Sequence, residues 1–337
     1  MLFDDNDDLD AKLAVIREEL RAEYFSDEPH PWIVGFSGGK DSTLVAHLVF
    51  ELLLDMPPSK RRRTVHIVAN DTLIESPLVI GHIRTVQAQM RKAAEAFNLP
   101  LKVVTTQPTQ DDTFWVNLIG RGYPSPNRSF RWCTDRMKIR PTSRYIHEQV
   151  DTTGRAILLL GVRRDESAKR AVSVAKYDNG ERLNRHNDMV GCMVFRPIVD
   201  LTTDDVWEFL GTIQPPWGGS HADLISLYRN SLGGECPVVV AKSNAPSCGT
   251  SSSRFGCWTC TVVQKDRSLK GFVEAGFAEF EPLLEFRDWL SAIRNDPHRR
   301  SARRRNGKYT INEAGTFVPG PFTSNTRHEI LERLLVL

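Results

Sequence analysis

No apolar run in this 337-residue chain approaches the roughly 18–20 residues that a membrane-spanning helix needs. Five of the first ten residues are Asp, and this acidic start has neither the basic flank nor the apolar core of a secretory leader. A cytoplasmic location, with no membrane partner, is the expectation. An excess of one charge is also missing. Lys and Arg number 44 against 42 Asp and Glu, a net of +2, so the clustering of charge matters more than its total. Cysteine is scarce at six residues, and in a cytosolic chain these are not expected to form structural disulfides. Metal or redox chemistry is the better reading, because four of them fall late in the chain. No internal repeat is present. The composition, 40% hydrophobic and 26% charged, is that of a globular protein long enough for more than one domain.

Apolar spacing gives the organisation. Leu9, Leu13, Ile16 and Leu20 share one helical face, so residues 7–25 are expected to form an amphipathic helix. Residues 31–36 read as a buried strand, and Leu44, Val45, Leu48, Val49 and Leu52 mark a helix that follows at once. Strands are expected at 64–69, 101–106 and 155–161, with a helix carrying Ile83, Val86, Met90 and Phe97 between the first two. Strand and helix in alternation predict an α/β fold, a doubly wound and mostly parallel sheet with ligands at the carboxyl ends of its strands. Residues 214–260 are rich in Gly, Pro, Ser and Cys and have little periodicity, so a metal centre is expected to organise them. Helical patterns return at 271–295 and 325–337. The expected division is an N-terminal helix (1–30), a nucleotide domain (31–212), a Cys-rich region (213–270) and a helical, basic C-terminal region (271–337).

Ser37-Gly38-Gly39-Lys40-Asp41-Ser42 stands between the first strand and its helix. That position gathers backbone N–H groups and the positive end of a helix dipole, which makes an anion site. It is not a Walker A loop. Asp41 occupies the Ser/Thr position, and Val34 stands where the first Gly is required.

SGGKDS resembles the pyrophosphate loop of the N-type ATP pyrophosphatases, which cut ATP between its α and β phosphates. The resemblance implies an adenine nucleotide alpha hydrolase-like fold, and adenylation of an acceptor oxygen with ATP and Mg2+. Ser37, Gly38, Gly39 and Ser42 would hold pyrophosphate, and Lys40 would add charge unless it turns away. Asp41 would hold magnesium or order the loop. Asn70-Asp71-Thr72-Leu73-Ile74-Glu75, Arg131-Trp132-Cys133-Thr134-Asp135-Arg136-Met137-Lys138, Gly161-Val162-Arg163-Arg164-Asp165-Glu166-Ser167 and FRPIVDLTTDDVWEFL (195–210) resemble the adenylyl-sulfate and phosphoadenylyl-sulfate reductases. Asp71 and Thr72 would then lie near the nucleoside. Gly161 and Arg163 would line the nucleotide site, and Arg163, Arg164 and Lys138 would neutralise charge during transfer.

The end of the chain departs from those reductases, which carry a catalytic cysteine in a C-terminal tail or an adjacent Cys-Cys pair. Here GGECP, SCG and RFGCWTCTVV occur in order, placing Cys236, Cys248, Cys257 and Cys260 with eleven, eight and two residues between them. By spacing alone, four such thiolates can hold zinc or an iron–sulfur cluster. With LLEFRDWL (283–290), RRSARRRNG (299–307) and GPF (320–322), the series is similar to the DndC family of DNA phosphorothioation proteins, and nearly as similar to its single-strand counterpart SspD. That resemblance implies a [4Fe–4S] cluster, sulfur from a cysteine desulfurase, other phosphorothioation-complex proteins as partners, and DNA as acceptor. Members of that family are expected to extend beyond the present C-terminus.

Cys192, in GCMVFRP, reads as a small buried hydrophobe. Cys133 stands among Arg131, Arg136 and Lys138 at an expected helix start, features that lower a thiol pKa. Helped by the resemblance, it is expected to be a reactive thiolate that carries sulfur or attacks the activated phosphate; the alternative is an inert thiol in a basic, phosphate-binding loop. Lys60–Arg63 and Arg299–Arg305 can contact a phosphate backbone or form solvated faces. A sulfonucleotide reductase, a tRNA thiolase and a nucleotide-gated DNA scaffold share these features, and the sequence leaves them open.

Overall fold

The chain was analysed as a computed structural model, which describes residues 8–26, 30–177, 180–231, 255–311, 313 and 315–337. Helix α1 (Leu9–Tyr24) leads into strand β1 (Trp32–Gly35), helix α2 (Lys40–Asp55), strand β2 (Val65–Asn70), helix α3 (Pro77–Ala96) and strand β3 (Leu101–Thr106). A short turn α4 (Trp132–Thr134) and helix α5 (Arg140–Thr153) follow, then β4 (Ala156–Leu159), α6 (Ala168–Tyr177), β5 (Leu183–Arg185), β6 (Cys192–Phe195) and α7 (Thr203–Thr212). The remaining helices are α8 (Ala222–Asn230), α9 (Arg267–Glu274), α10 (Glu281–Ile293) and α11 (Ser324–Leu335).

Among the described residues the strands form one six-stranded sheet in the order β3-β2-β1-β4-β6-β5. Every pairing is parallel except β5 with β6. The chain runs outward from β1 to β2 and β3, then crosses back to β4 on the other side of β1. The crevice beyond the carboxyl ends of β1 and β4 is therefore the topological switch point, where ligands of open parallel sheets bind.

Alternation along β1 assigns the two faces. Trp32 and Val34 pack with the apolar faces of α1, α2, α3 and α7, whereas Ile33 joins Val68, Leu158 and Ile146 of α5 beneath the sheet. Burial on both faces explains why these strands are almost purely apolar. A third apolar cluster gathers Phe114, Trp132, Trp258, Phe272, Phe286, Leu290 and Ile330, and so unites the C-terminal helices with the turn that carries Cys133.

Two parts of the sequence reading change here. Helix α8 forms inside the stretch expected to lack periodic structure, burying Leu224 and Tyr228. Its four apolar positions are flanked by Gly, Pro and Ser, and the flanks masked the period. The single helical pattern at 271–295 is two helices, broken at Gly276, whose φ of +106° suits glycine. Among the described residues no helix is long and apolar enough to cross a membrane.

Candidate active site

The loop between β1 and α2 is held from within. Ser42 Oγ accepts the Ser37 N–H at 3.1 Å, donates to the Gly39 carbonyl at 2.9 Å and meets Ser37 Oγ at 3.1 Å. Gly38 has φ +72°, and a Cβ there would stand 2.4 Å from Ile83. From the far side of the crevice, Gly161 meets the first turn of α2. A Cβ on Gly161 would lie 2.7 Å from the Asp41 carbonyl, so only glycine lets the end of β4 approach this closely.

The charged residues of the loop point into the protein. Lys40 is buried. Its Nζ is 3.3 Å from Asp41 Oδ2 and lies over the Tyr228 ring, 5.5 Å from the centroid. The Asp41 carboxylate also receives Arg163 Nε at 2.6 Å. Arg163, 1% exposed, reaches Asp165 Oδ2 at 3.3 Å, the Leu201 carbonyl at 3.2 Å and Thr203 Oγ1 at 3.1 Å as well. Asp41 and Arg163 thus lock the two crevice-forming loops together. What remains for phosphate is a glycine-rich backbone, two hydroxyls and the N-terminus of a sixteen-residue helix.

Beside this loop, at the end of β2, Asp71 is buried and accepts the Leu73 N–H at 2.8 Å and Arg84 Nη2 at 3.3 Å. Thr72, fully buried, donates to Glu75 Oε1 at 2.9 Å and lies 3.4 Å from Cys257 Sγ. Glu75 pairs with Lys138 Nζ at 3.5 Å and forms an isolated antiparallel bridge with Cys257. The Trp258 N–H donates to the Ile74 carbonyl at 3.1 Å. The Cys257–Cys260 turn is therefore stitched to the edge that holds Asp71 and Thr72. Asn70 Nδ2 donates to the Met137 carbonyl at 2.8 Å, which ties the Cys133 turn to the same strand end.

Lys138 interacts electrostatically with Cys133, Cys257 and Cys260, and Cys260 with both other thiols. Burial pushes the Cys257 thiol up to about 12, with the Lys138 charge opposing it. Cys257 chiefly, then Glu75, raises the Lys138 ammonium above its usual range. Near neutral pH the Cys257 thiol keeps its proton, so the standing partner of Lys138 there is Glu75. Cys133 departs from the expected low-pKa thiolate. Burial and Cys260 raise its pKa, and Lys138 opposes them only in part. Arg136, counted on by the sequence reading, is drawn away to Asp112 Oδ1 at 2.5 Å.

The site residues read from sequence divide into three groups. Ser37, Gly38, Gly39, Lys40, Asp41, Ser42, Gly161 and Arg163 surround the loop. Asp71, Thr72, Cys133, Lys138, Cys257 and Cys260 surround the end of β2. Arg164 stands apart, paired with Asp200 in a cleft against α1. Cys236 and Cys248 lie outside the described residues. Cys192 is buried in β6, its pKa raised by burial to about 11.

Three positioning residues escaped the sequence reading. Tyr228 accepts the Lys40 N–H at 3.3 Å. Glu75 lay unassigned in a stretch already singled out. Arg287, fully buried, donates to the carbonyls of Cys260 at 2.8 Å, Gln264 at 2.9 Å and Val263, and so holds the CxxC turn from α10. The sequence carried no distinct signal for it, since LLEFRDWL also holds Glu285 and Asp288.

Among the described residues, no three His, Cys, Asp or Glu side chains gather closely enough to hold a metal ion. The donor chemistry nonetheless suits a sulfur-ligated group, since two thiols share one turn. Between them Thr259 Oγ1 is buried and finds no hydrogen-bond partner among the described residues.

Residues 31–263 match the family model of the phosphoadenosine phosphosulfate reductase domain. A curated relative, an uncharacterised protein of Methanocaldococcus jannaschii, is 23% identical over 187 residues, covering 56% of this chain and 32% of the relative. The chain thus spans about a third of that relative's length. Solved structures with distant likeness include the phosphoadenylyl-sulfate reductase of Candida auris in its phosphate complex (13% identity, 62% of this chain and 87% of that one, TM-score 0.36). Another is the U34-tRNA thiolase of Methanococcus maripaludis with its [4Fe–4S] cluster (15%, 84% and 80%, TM-score 0.38). A third is the NH3-dependent NAD synthetase of Campylobacter jejuni (13%, 86% and 97%, TM-score 0.40). With the family match running from β1 through the CxxC turn, the chain belongs to the phosphoadenosine phosphosulfate reductase domain family.

Proposed function

We propose that the chain is an ATP pyrophosphatase that adenylates a non-bridging oxygen of a DNA backbone phosphate, so that sulfur can replace it in DNA phosphorothioation. One observation carries this reading. A loop suited to polyphosphate follows β1, and at the carboxyl end of the adjacent strand β2 the segment Thr72–Glu75 holds the Cys257–Cys260 turn.

In the proposed reaction the acceptor oxygen attacks the α phosphorus of ATP, and the bond to the bridging oxygen of pyrophosphate breaks. Ser37, Ser42 and the first N–H groups of α2 take the pyrophosphate charge, with magnesium entering on the nucleotide's phosphates. The buried Asp41–Arg163 pair keeps the two loops in place without reorganising, as electrostatic catalysis requires. Sulfur carried as a persulfide from a cysteine desulfurase is reduced to sulfide by two electrons from an external dithiol or redox-protein donor, and the sulfide then attacks the acceptor phosphorus. AMP leaves with the original oxygen. A [4Fe–4S] cluster on Cys257, Cys260 and further thiols such as Cys236 and Cys248 would supply a place to hold sulfur or pass electrons. Lys138 neutralises negative charge at that edge, and Arg287 keeps the turn in place.

The test is the product of ATP breakdown under anaerobic conditions, with and without DNA and a sulfur donor. AMP and pyrophosphate, stimulated by DNA, are expected. ADP and phosphate would overturn the reading. The family match favours one alternative, reduction of a sulfonucleotide to sulfite, and sulfite release from phosphoadenylyl sulfate with thioredoxin would establish it.

A further inference from the structure

A further cleft, of about 490 Å³, opens between the segment that carries Tyr123 and Phe130 and the segment from Arg300 to Pro321. Its lining includes Tyr123, Phe130, Arg300, Arg304 and Arg305, and no carboxylate among the described residues. The Tyr123 and Phe130 rings stand 6.2 Å apart at 51°. The Arg305 guanidinium lies 5.8 Å from the Tyr123 centroid. Phe130 is 45% exposed, a cost in water that an apolar or aromatic occupant would remove.

The cleft is built and held rather than incidental. Arg300 donates to the carbonyls of Gly320 at 2.7 Å, Arg294 at 2.7 Å and Pro319 at 3.2 Å, closing the base of the 301–322 excursion. Arg304, Arg305 and Lys308 are exposed around its tip, with Tyr309 and Phe317 exposed beyond. Tyr123 meets Trp132 edge to face at 5.6 Å, and Trp132 precedes Cys133.

From this arrangement we infer that the cleft binds an unpaired nucleotide of a nucleic-acid strand, its base stacked on Phe130 and its phosphates on Arg304 and Arg305. An exposed ring can stack on a base only when that base is out of its helix, whereas arginines alone would accept a duplex equally well. The inference deepens the phosphate-acceptor reading and rests on it for the role of the strand.

The test is fluorescence anisotropy of the full chain with a labelled DNA single strand, its duplex, the matching RNA strand and the same DNA strand made abasic. The single strand should bind more tightly than the duplex. Phe130→Ala should weaken it by about tenfold, the order expected for one lost stack. The abasic strand should be indifferent to that change. Phe130→Trp should retain the binding, and circular dichroism should show all variants folded. Replacing Arg304 and Arg305 together by Ala should lower the salt slope by about 1.4. The tighter of DNA and RNA names the source of the strand. Equal binding of duplex, or no effect of Phe130→Ala on the single strand, overturns the site. If that happens while DNA still stimulates AMP formation, the acceptor reading stands without it. If the strand binds through Phe130 but stimulates no AMP formation, the site stands and the acceptor reading falls.

Discussion

Asp41 Oδ1 receives Arg163 Nε at 2.6 Å, across the crevice between the loops that follow β1 and β4. The pair joins residues 122 positions apart in the chain and converts two loops into one wall. Removing Arg163 strips the half-buried Asp41 carboxylate of its shortest partner and leaves it Lys40 alone. Arg163→Ala should cost about 3 kcal/mol in urea unfolding. Asp41→Asn should cost less, about 1–2 kcal/mol, because Arg163 keeps Asp165 and the Leu201 carbonyl. The reverse order would mean that Asp41, not Arg163, organises the wall.

Gly161→Ala places a methyl group against the Asp41 backbone, where nothing can yield without moving α2. ATP affinity measured by calorimetry should fall at least tenfold. Gly81→Ala is the control. A Cβ there meets nothing within 4 Å on α3, and the change should raise stability by about 0.5–1 kcal/mol with ATP affinity intact. Equal affinities in the two variants would show that the close approach does not shape the nucleotide site.

Two buried histidines set an acid limit on stability. Burial, aided by Lys102, lowers His66 to about 4. Burial, aided by His47 and His82, lowers His221 to about 4. Both are neutral in the fold and take up a proton in the unfolded chain below about 6.5. Stability is therefore complete above pH 6.5 and falls as pH drops toward 4, by about 3 kcal/mol for each histidine. Unfolding free energies across that window should show the loss. His66→Gln or His221→Gln should each flatten it. A flat wild-type profile would exclude the mechanism.

The thiols should separate by place. After anaerobic iron and sulfide loading, Cys257→Ser or Cys260→Ser should abolish bound iron. Cys192→Ala should retain it, at about 1 kcal/mol of stability lost from the core. Before loading, Cys133 should alkylate more slowly than a free cysteine at pH 7, since its thiol is held protonated. Fast alkylation would restore the thiolate expected from its basic neighbours.

The elements were legible because their signals are local. Apolar runs place β1, β2 and β3 within a residue, and 3.6-residue spacing marks α2 and α3, although Phe97, read onto the apolar face of α3, caps its end and is exposed. The short antiparallel β5 carries too few residues to announce itself. The wider helical turns Val116–Gly120 and Asp135–Ile139 bury Leu118 and Met137 in the cluster that holds Trp132 and Trp258, and no local spacing in the sequence marked them.

The site was legible as a roster and not as an arrangement. That SGGKDS binds anions follows from a strand, two glycines and a helix start, which neighbouring residues supply by themselves. Whether Lys40 faces phosphate depends on Tyr228, and whether Cys133 is a thiolate depends on Cys260 and on the pairing of Arg136 with Asp112. Basic residues beside a thiol in sequence do not lower its pKa when folding turns them to other carboxylates and buries the sulfur. Backbone conformation is largely a local quantity, so the sequence alone determined the main strands, their helices and the loop between β1 and α2. Charge and desolvation act through space, so only the tertiary structure decided which groups meet and in what state.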